Sequence, residues 1–176
     1  MRLTTFTLAA AAMLAMTGCS DMISLRSFAP ENLTVQNPLL PGIWSSSDDE
    51  IYIVRAKDKG YTITYIGKDN LPLHFDAKLI RAGAAEILDV TPTDDDDPFR
   101  VATHVPVRVS VDGATLRFTF LDSPWLREQA RTQLAVQDVG KRILITAPGD
   151  AVARFLLLHG NDDRAYEGQP QILHRP

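Results

Sequence analysis

The chain has 176 residues, with 18 basic and 22 acidic side chains and a formal charge of −4 at pH 7. A mild acidic excess argues against a nucleic-acid partner, which selects a basic face. Cys19 is the single cysteine, so no intramolecular disulfide can form.

The first residues predict an export signal. Arg2 is the only charged residue before Asp21, and every residue from 6 to 16 except Thr7 is apolar. A short positive start and an apolar core of roughly ten residues are typical of a secretory signal. The core is too short for a permanent membrane helix, which needs about 20 apolar residues. We therefore expect residues 1–18 to be a signal peptide.

The core ends in Met16-Thr17-Gly18-Cys19, which resembles the lipobox of bacterial lipoproteins. Thr17, Gly18 and Cys19 match the family pattern, while Met16 stands where leucine is usual. The resemblance implies cleavage between Gly18 and Cys19, a diacylglyceryl group on the Cys19 sulfur and acylation of the new amine. Two or more acyl chains make a stable anchor. An ordinary cleaved signal followed by a chance cysteine is the alternative.

Ser20 follows the expected lipidated cysteine. In the family, as known in enteric bacteria, aspartate at this place favours the inner membrane. Ser20 therefore implies the outer membrane, facing the periplasm, and Asp21 one place later keeps the periplasmic face of the inner membrane as the alternative. Loss of Arg2 with the signal leaves 17 basic and 22 acidic side chains in 158 residues, a formal charge of −5.

Residues 19–41 are predicted to be the lipidated N-terminus and a tether, with turn signals at Pro30 and Pro38. Residues 22–28 favour a short amphipathic helix. An extended chain spans at most about 3.5 Å per residue, so such a tether could hold a domain clear of the lipid headgroups. Residues 42–176 are then expected to form a single β-rich domain, a length that suits one core.

The domain opens with Gly42-Ile43-Trp44, which is similar to the Gly-x-Trp entry motif of lipocalins and related small barrels. In that family the tryptophan closes one end of the barrel. A tryptophan that fills the core of any β domain is the alternative. Together with the lipobox, the segment Leu40-Pro41-Gly42-Ile43-Trp44 and a helix bearing Trp125 resemble a set of uncharacterised bacterial lipoproteins, a resemblance that implies no activity.

Apolar and polar residues then alternate with period two, which predicts half-buried antiparallel strands. Gly60 is expected to supply a positive φ in the turn between the first two of these strands. The longest alternation runs from residue 99 to 111, and Pro106, which lacks an N–H, predicts an edge or a bulge there. Asp112-Gly113 predicts a hairpin that returns at residues 116–120.

The period changes after Phe120. Ser123 and Pro124 are typical of a helix start, and residues 148–150 open a second helix that ends at Gly160. Short strands are expected at residues 142–146 and 172–173. The predicted fold is mainly β, an antiparallel meander forming a lipocalin-like barrel or curved sheet with two C-terminal α-helices.

Two residue clusters are candidates for chemistry. Asp94–Asp97 could supply calcium ligands, but their spacing is typical of a solvated acidic loop. His74, Asp76 and His104 could converge, but the pattern favours outward-facing polar residues of a sheet. No nucleophile elbow, phosphate loop or metal-ligand spacing is present, so we expect no enzyme, no metal and no cofactor.

Aromatic residues on the predicted strand faces could line a ligand cavity or fill it. We therefore expect a lipid-anchored binding module for a hydrophobic or envelope-derived ligand. The alternative is an assembly module that binds another envelope protein through a sheet edge near Pro106. The residues predicted to bind a ligand are Trp44, Tyr61, Tyr65, Phe75 and Phe118, with Tyr52 and Phe120 as further candidates.

Overall fold

The computed structural model describes residues 21–93, 101–166 and 168–176. The signal, Gly18, Cys19 and Asp94–Asp97 lie outside the described residues. The strands are, in chain order, β1 (Met22–Ser24), β2 (Thr34–Val35), β3 (Gly42–Ser45), β4 (Ile51–Lys57), β5 (Gly60–Ile66), β6 (Pro72–Ala82), β7 (Ala85–Pro92), β8 (Val105–Asp112), β9 (Thr115–Phe120), β10 (Val136–Val139), β11 (Arg142–Ile145) and β12 (Gln171–His174).

Two α-helices lie between β9 and β12. Helix α1 (Pro124–Gln133) begins as predicted, because the Ser123 hydroxyl accepts a hydrogen bond from the Leu126 amide at 3.0 Å. Helix α2 (Gly149–His159) is followed by a 3-10 helix at Asp163–Ala165. Within the described ranges, neither helix has the length and hydropathy that a membrane span requires.

Eight strands form a closed antiparallel β-barrel, in the order β3-β4-β5-β6-β7-β8-β9-β12 and back to β3. The predicted lipocalin-like barrel with helices is thereby confirmed. Closure depends on β6, which pairs with β5 and β2 along one edge and with β7 along the other. It also depends on β12, which returns after the helices and joins β9 to β3.

The barrel interior is one of two hydrophobic cores. Its buried side chains come from inward positions of the eight strands and include Trp44, Leu79, Leu116 and Leu173. The second core lies outside the barrel, where α1 and α2 pack on the outer face of β6 and β7. There a small sheet of order β1-β11-β10, with β1 parallel to β11, completes the cover.

The prediction of an edge or bulge at Pro106 is wrong. Strand β8 lies inside the barrel wall, paired with β7 on one side and β9 on the other. Its register with both neighbours is continuous, and Pro106 faces Asp89 of β7. The Pro106 carbonyl accepts from the Leu121 amide at 3.1 Å, one residue past the end of β9, so the missing N–H falls at the end of the β8–β9 ladder and not in its middle.

The segment predicted as a tether belongs to the folded body from Asp21 onward. Met22 and Phe28 are fully buried, β1 pairs with β11, and β2 pairs with β6. The amphipathic helix expected over residues 22–28 is absent, since β1 occupies its first half. Pairing with β11 and burial of Met22 and Phe28 override the weak helical propensity of this short stretch.

The turn between β4 and β5 also differs from expectation. Asp58, not Gly60, has the positive φ, 46°. Gly60 is the first residue of β5, and a Cβ placed on it would meet the Ala77 carbonyl oxygen at 2.5 Å. Close approach of the neighbouring strand, rather than a left-handed backbone, therefore requires this glycine.

Candidate functional site

The barrel has two ends of different character. The tryptophan end is where β3 begins and β12 ends, and the aromatic end is where β4 begins and β9 ends. In a closed barrel the strands tilt, so residues paired across strands lie at different heights. Each end leaves some inward side chains in contact with solvent: Ala56 and Val111 toward the tryptophan end, and Tyr52 and Phe118 at the aromatic end.

Trp44 pairs with Tyr52 in the β3–β4 ladder, and its side chain points toward the tryptophan end. Its side chain is fully buried, and its indole N–H donates to the Leu40 carbonyl at 3.0 Å. The Arg175 guanidinium lies over the ring, 4.6 Å from the centroid. The same guanidinium donates to the carbonyls of Leu39 (2.8 Å) and Pro41 (3.3 Å). This end of the barrel is therefore plugged by an aromatic ring and tied down by a cation.

Tyr61 lies at this closed end as well. Its hydroxyl accepts from the Asn37 amide at 2.7 Å and donates to the Asn37 carbonyl at 3.3 Å. Burial is the main cause that raises the pKa of Tyr61 above its usual value. Trp44 and Tyr61, both predicted to touch a ligand, thus hold the chain segment that covers the closed end.

The aromatic end contains the other predicted residues. Tyr65, Phe75 and Phe118 point inward, yet each side chain keeps partial contact with solvent. The Tyr52 ring lies 4.9 Å from that of Tyr65 and 5.7 Å from that of Phe118. Phe118 in turn contacts Phe120 edge to face at 6.2 Å. Rings at these distances attract one another beyond their shared burial.

The Tyr52–Phe118 contact crosses the lumen. Strands β4 and β9 are separated in the barrel wall by β3 and β12, so no strand pairing brings these rings together. The row Tyr65-Tyr52-Phe118-Phe120 therefore forms an aromatic floor. Below the floor the interior is filled by buried side chains, and above it the inward faces remain accessible.

Glu50 is the polar group of the aromatic end. Tyr65 donates its hydroxyl hydrogen to Glu50 Oε1 at 2.9 Å, and the Ser46 hydroxyl lies 3.4 Å from Oε2. Burial, followed by the Glu50 hydrogen bond, raises the pKa of Tyr65 to about 12. The pKa of Tyr52 is raised further, chiefly by burial and then by the Glu50 charge. Both phenols therefore stay neutral donors at physiological pH.

The histidines and Asp76 do not converge. His74 is exposed on the outer face of β6, where its Nδ1 lies 3.1 Å from the Thr64 hydroxyl, and Asp76 forms an ion pair with Lys57 at 3.3 Å. His104 instead contacts a carboxylate that sequence reasoning did not single out, Asp89. Among the described residues, no three metal-ligating side chains lie together.

Asp89 is a buried carboxylate on the outer face of β7. One oxygen accepts from the Ser27 hydroxyl (2.6 Å) and the Phe28 amide (3.1 Å), and the other lies 2.8 Å from His104 Nδ1. Thr91 also contacts His104 Nδ1, at 3.0 Å. The three residue types are those of a hydrolase triad, but Ser27 is bonded to the carboxylate and not to the imidazole. Without a nucleophile–base contact, this cluster fastens the N-terminal segment to the barrel.

A groove of about 350 Å³ lies outside the barrel, beside the turn between β4 and β5. Lys57, Lys59 and Lys78 face it, together with Glu31, Asp58 and Asp76. Glu31 bonds Lys59 at 3.0 Å, which lowers the pKa of that carboxylate. The charges balance one another, so the groove presents no net charge to a ligand.

No known protein-family model, no curated protein and no solved structure matches this chain. Function is therefore inferred from the barrel and from the side chains that its interior leaves accessible.

Proposed function

We propose that this chain is a lipid-anchored envelope protein whose barrel binds a hydrophobic or envelope-derived ligand at the aromatic end, without catalysing a reaction. The barrel fold is compatible with a ligand-binding module. The observation that carries the proposal is the aromatic floor, whose inward rings contact one another and remain partly exposed. An apolar ligand on this floor would cover side chains that otherwise contact water.

The neutral phenols fit this role. Tyr52 and Tyr65 offer apolar ring faces and hydroxyl groups that stay protonated, and Glu50 fixes the Tyr65 ring. A site of this kind combines apolar area with a few placed polar groups, as small-molecule sites generally do. The ligand that fits best is an apolar molecule bearing one polar group.

A blocking experiment tests the site. In a Cys19→Ser background the chain has no other cysteine, so Leu73→Cys can be labelled with a bulky maleimide at the aromatic end. Leu73 points inward opposite Tyr65 and is half-buried. Ile172→Cys, labelled with the same reagent on the outer face of the barrel, is the matched control, because Ile172 is exposed.

The readout is saturable binding of the neutral fluorescent probe N-phenyl-1-naphthylamine. We expect the label at residue 73 to weaken binding at least tenfold and the label at residue 172 to leave it unchanged. Absence of saturable binding in the unlabelled chain, or equal affinity in the two labelled variants, would contradict the proposed site.

The anchor is proposed from the sequence, at Cys19, with the outer membrane facing the periplasm as the destination and the inner membrane as the alternative. Cys19→Ser should release the chain from membranes or leave an uncleaved precursor. Ser20→Asp should move the protein toward the inner membrane if the enteric sorting pattern applies. A mature, membrane-bound Cys19→Ser protein would refute lipidation.

The alternative of assembly through a sheet edge loses its predicted location, since Pro106 lies inside the barrel wall. Within the described parts of the chain, β1, β10 and the two-residue β2 each pair with a single strand, and β1 also bridges His104 through Ser24. Such short edges offer few backbone groups to a partner strand.

A further inference from the structure

The chain is fixed to the domain from Asp21 onward. The Asp21 amide donates to the carboxylate of Asp122, and its carbonyl accepts from the Ile143 amide at 2.6 Å. Its own carboxylate forms an ion pair with Arg127 at 3.3 Å. The next residue, Met22, is fully buried. Asp21 therefore cannot move away from the body of the protein without breaking these bonds.

Cys19 precedes Asp21 by two residues, and two residues span at most about 7 Å. A lipid chain on Cys19 would consequently hold the surface around Asp21 within a few ångströms of the headgroups. This step rests on the proposed anchor. A free tether, as predicted over residues 19–41, would have left the orientation of the domain open, whereas this attachment fixes which surface meets the membrane.

The surface beside Asp21 is the tip of the hairpin formed by β10 and β11. Because β1 runs parallel to β11, with Met22 opposite Ile143, Asp21 lies at the end of the small sheet that carries this tip. We call residues 139–142 the hairpin tip. Val139 is 56% exposed, and Lys141 and Arg142 are exposed too.

Lys141 and Arg142, the two cations of the hairpin tip, are not paired with carboxylates of the described residues. Asp138, the nearest acidic neighbour in sequence, is bound by Arg131 at 2.8 Å, a hydrogen bond that lowers the pKa of Asp138. The tip thus offers a positive, partly apolar surface on a chain that is acidic as a whole.

We propose that the hairpin tip docks on the anionic phospholipid surface that holds the Cys19 anchor. Lys141 and Arg142 contact lipid phosphates, and Val139 reaches the boundary between headgroups and acyl chains. The excess acidic charge of the remaining surface is repelled by the same lipid, so the two effects favour one orientation. The tip adds the second membrane contact beside the acyl chains.

Lipid-linked protein in vesicles tests this docking. The chain from Cys19 onward is coupled through its single cysteine to a maleimide lipid, so the result does not depend on lipidation by a cell. Val139→Trp is compared with Ile172→Trp, whose site on the barrel wall has a similar exposure of 46%. Brominated phosphatidylcholine, mixed with phosphatidylglycerol, quenches tryptophan at the membrane, and the unsubstituted chain supplies the background of Trp44 and Trp125.

We expect at least twofold quenching of the added tryptophan at residue 139 and none at residue 172. Lys141→Gln with Arg142→Gln, in the Val139→Trp chain, should at least halve that quenching. Salt near 1 M, where the Debye length falls to about 3 Å, should also at least halve the quenching at residue 139. Equal quenching at the two sites, no quenching at residue 139, or quenching insensitive to both charge and salt would overturn the docking, whatever the fate of Cys19 in cells.

Discussion

The plug of the tryptophan end makes a quantitative prediction for Trp44→Leu and Arg175→Met. Trp44 is fully buried and donates to the Leu40 carbonyl, and Arg175 lies over its ring. Leucine refills part of the space but removes the ring and leaves the Leu40 carbonyl without its donor. Methionine keeps the stem of Arg175 and removes the cation.

The magnitudes follow from these contacts. A buried tryptophan truncated to alanine costs about 3–5 kcal/mol, and an orphaned buried carbonyl costs about 1–3 kcal/mol. We therefore expect Trp44→Leu to lower the free energy of unfolding by about 3 kcal/mol. Arg175→Met loses a cation–π contact of about 0.5–1 kcal/mol and two exposed hydrogen bonds, for a total of about 1–2 kcal/mol.

Urea unfolding followed by far-ultraviolet circular dichroism measures both variants and their combination. If Arg175 stabilises the chain through the Trp44 ring, the double variant should lose about 0.5–1 kcal/mol less than the sum of the single losses. Additivity within about 0.3 kcal/mol would refute the stacking. Probe binding at the aromatic end should change less than twofold in Arg175→Met, because the side-chain contacts of Arg175 are with Trp44, Leu39 and Pro41 and not with the rings of the floor.

Three further outcomes are expected. Because the pKa of Tyr65 is raised to about 12, the contribution of its neutral phenol to the free energy of unfolding is complete below pH 10 and is lost as the pH rises through about 12. Glu50→Gln should lower that pKa in an absorbance titration. Native protein with half of its phenolate signal at pH 10 would contradict this. Asp89→Ala should cost about 3–5 kcal/mol in urea unfolding, because the Ser27 hydroxyl and the Phe28 amide lose their acceptor and His104 loses one of its partners, whereas a loss below about 1 kcal/mol would show that the Asp89 cluster does not fasten the N-terminal segment. Gly149→Ala should cost about 1–3 kcal/mol, since the new Cβ would meet the Ser27 carbonyl oxygen at 2.0 Å, and an unchanged urea midpoint would contradict the close approach.

The local elements could be predicted from the sequence because their signals are local. Period-two alternation located the strands, and Ser123 with Pro124 marked the start of α1. Two to four residues carry little periodicity, so among the short strands β11 and β12 were expected from the sequence, whereas β1, β2 and β10 were missed. Their pairing partners are distant in sequence, and burial decides their conformation.

The candidate site was only partly predictable for a different reason. Alternation shows which face of a strand a residue occupies, but strand tilt decides its height in the barrel. The sequence therefore grouped Trp44 and Tyr61 with Tyr65 and Phe118. In the structure Trp44 and Tyr61 bond to the segment at residues 37–40, whereas Tyr65 and Phe118 are joined through the Tyr52 ring. Asp89 was missed because its partners Ser27 and His104 lie on separate segments.

Native mass spectrometry of the chain purified without detergent from its own host, in the Cys19→Ser form, tests the central claim most directly. Ligand binding at the aromatic end predicts a discrete mass excess that dissociates on denaturation and that N-phenyl-1-naphthylamine displaces. Prior labelling of Leu73→Cys should prevent its rebinding. Protein that is consistently empty and shows no displacement of the probe would contradict the claim that this barrel is a ligand-binding module.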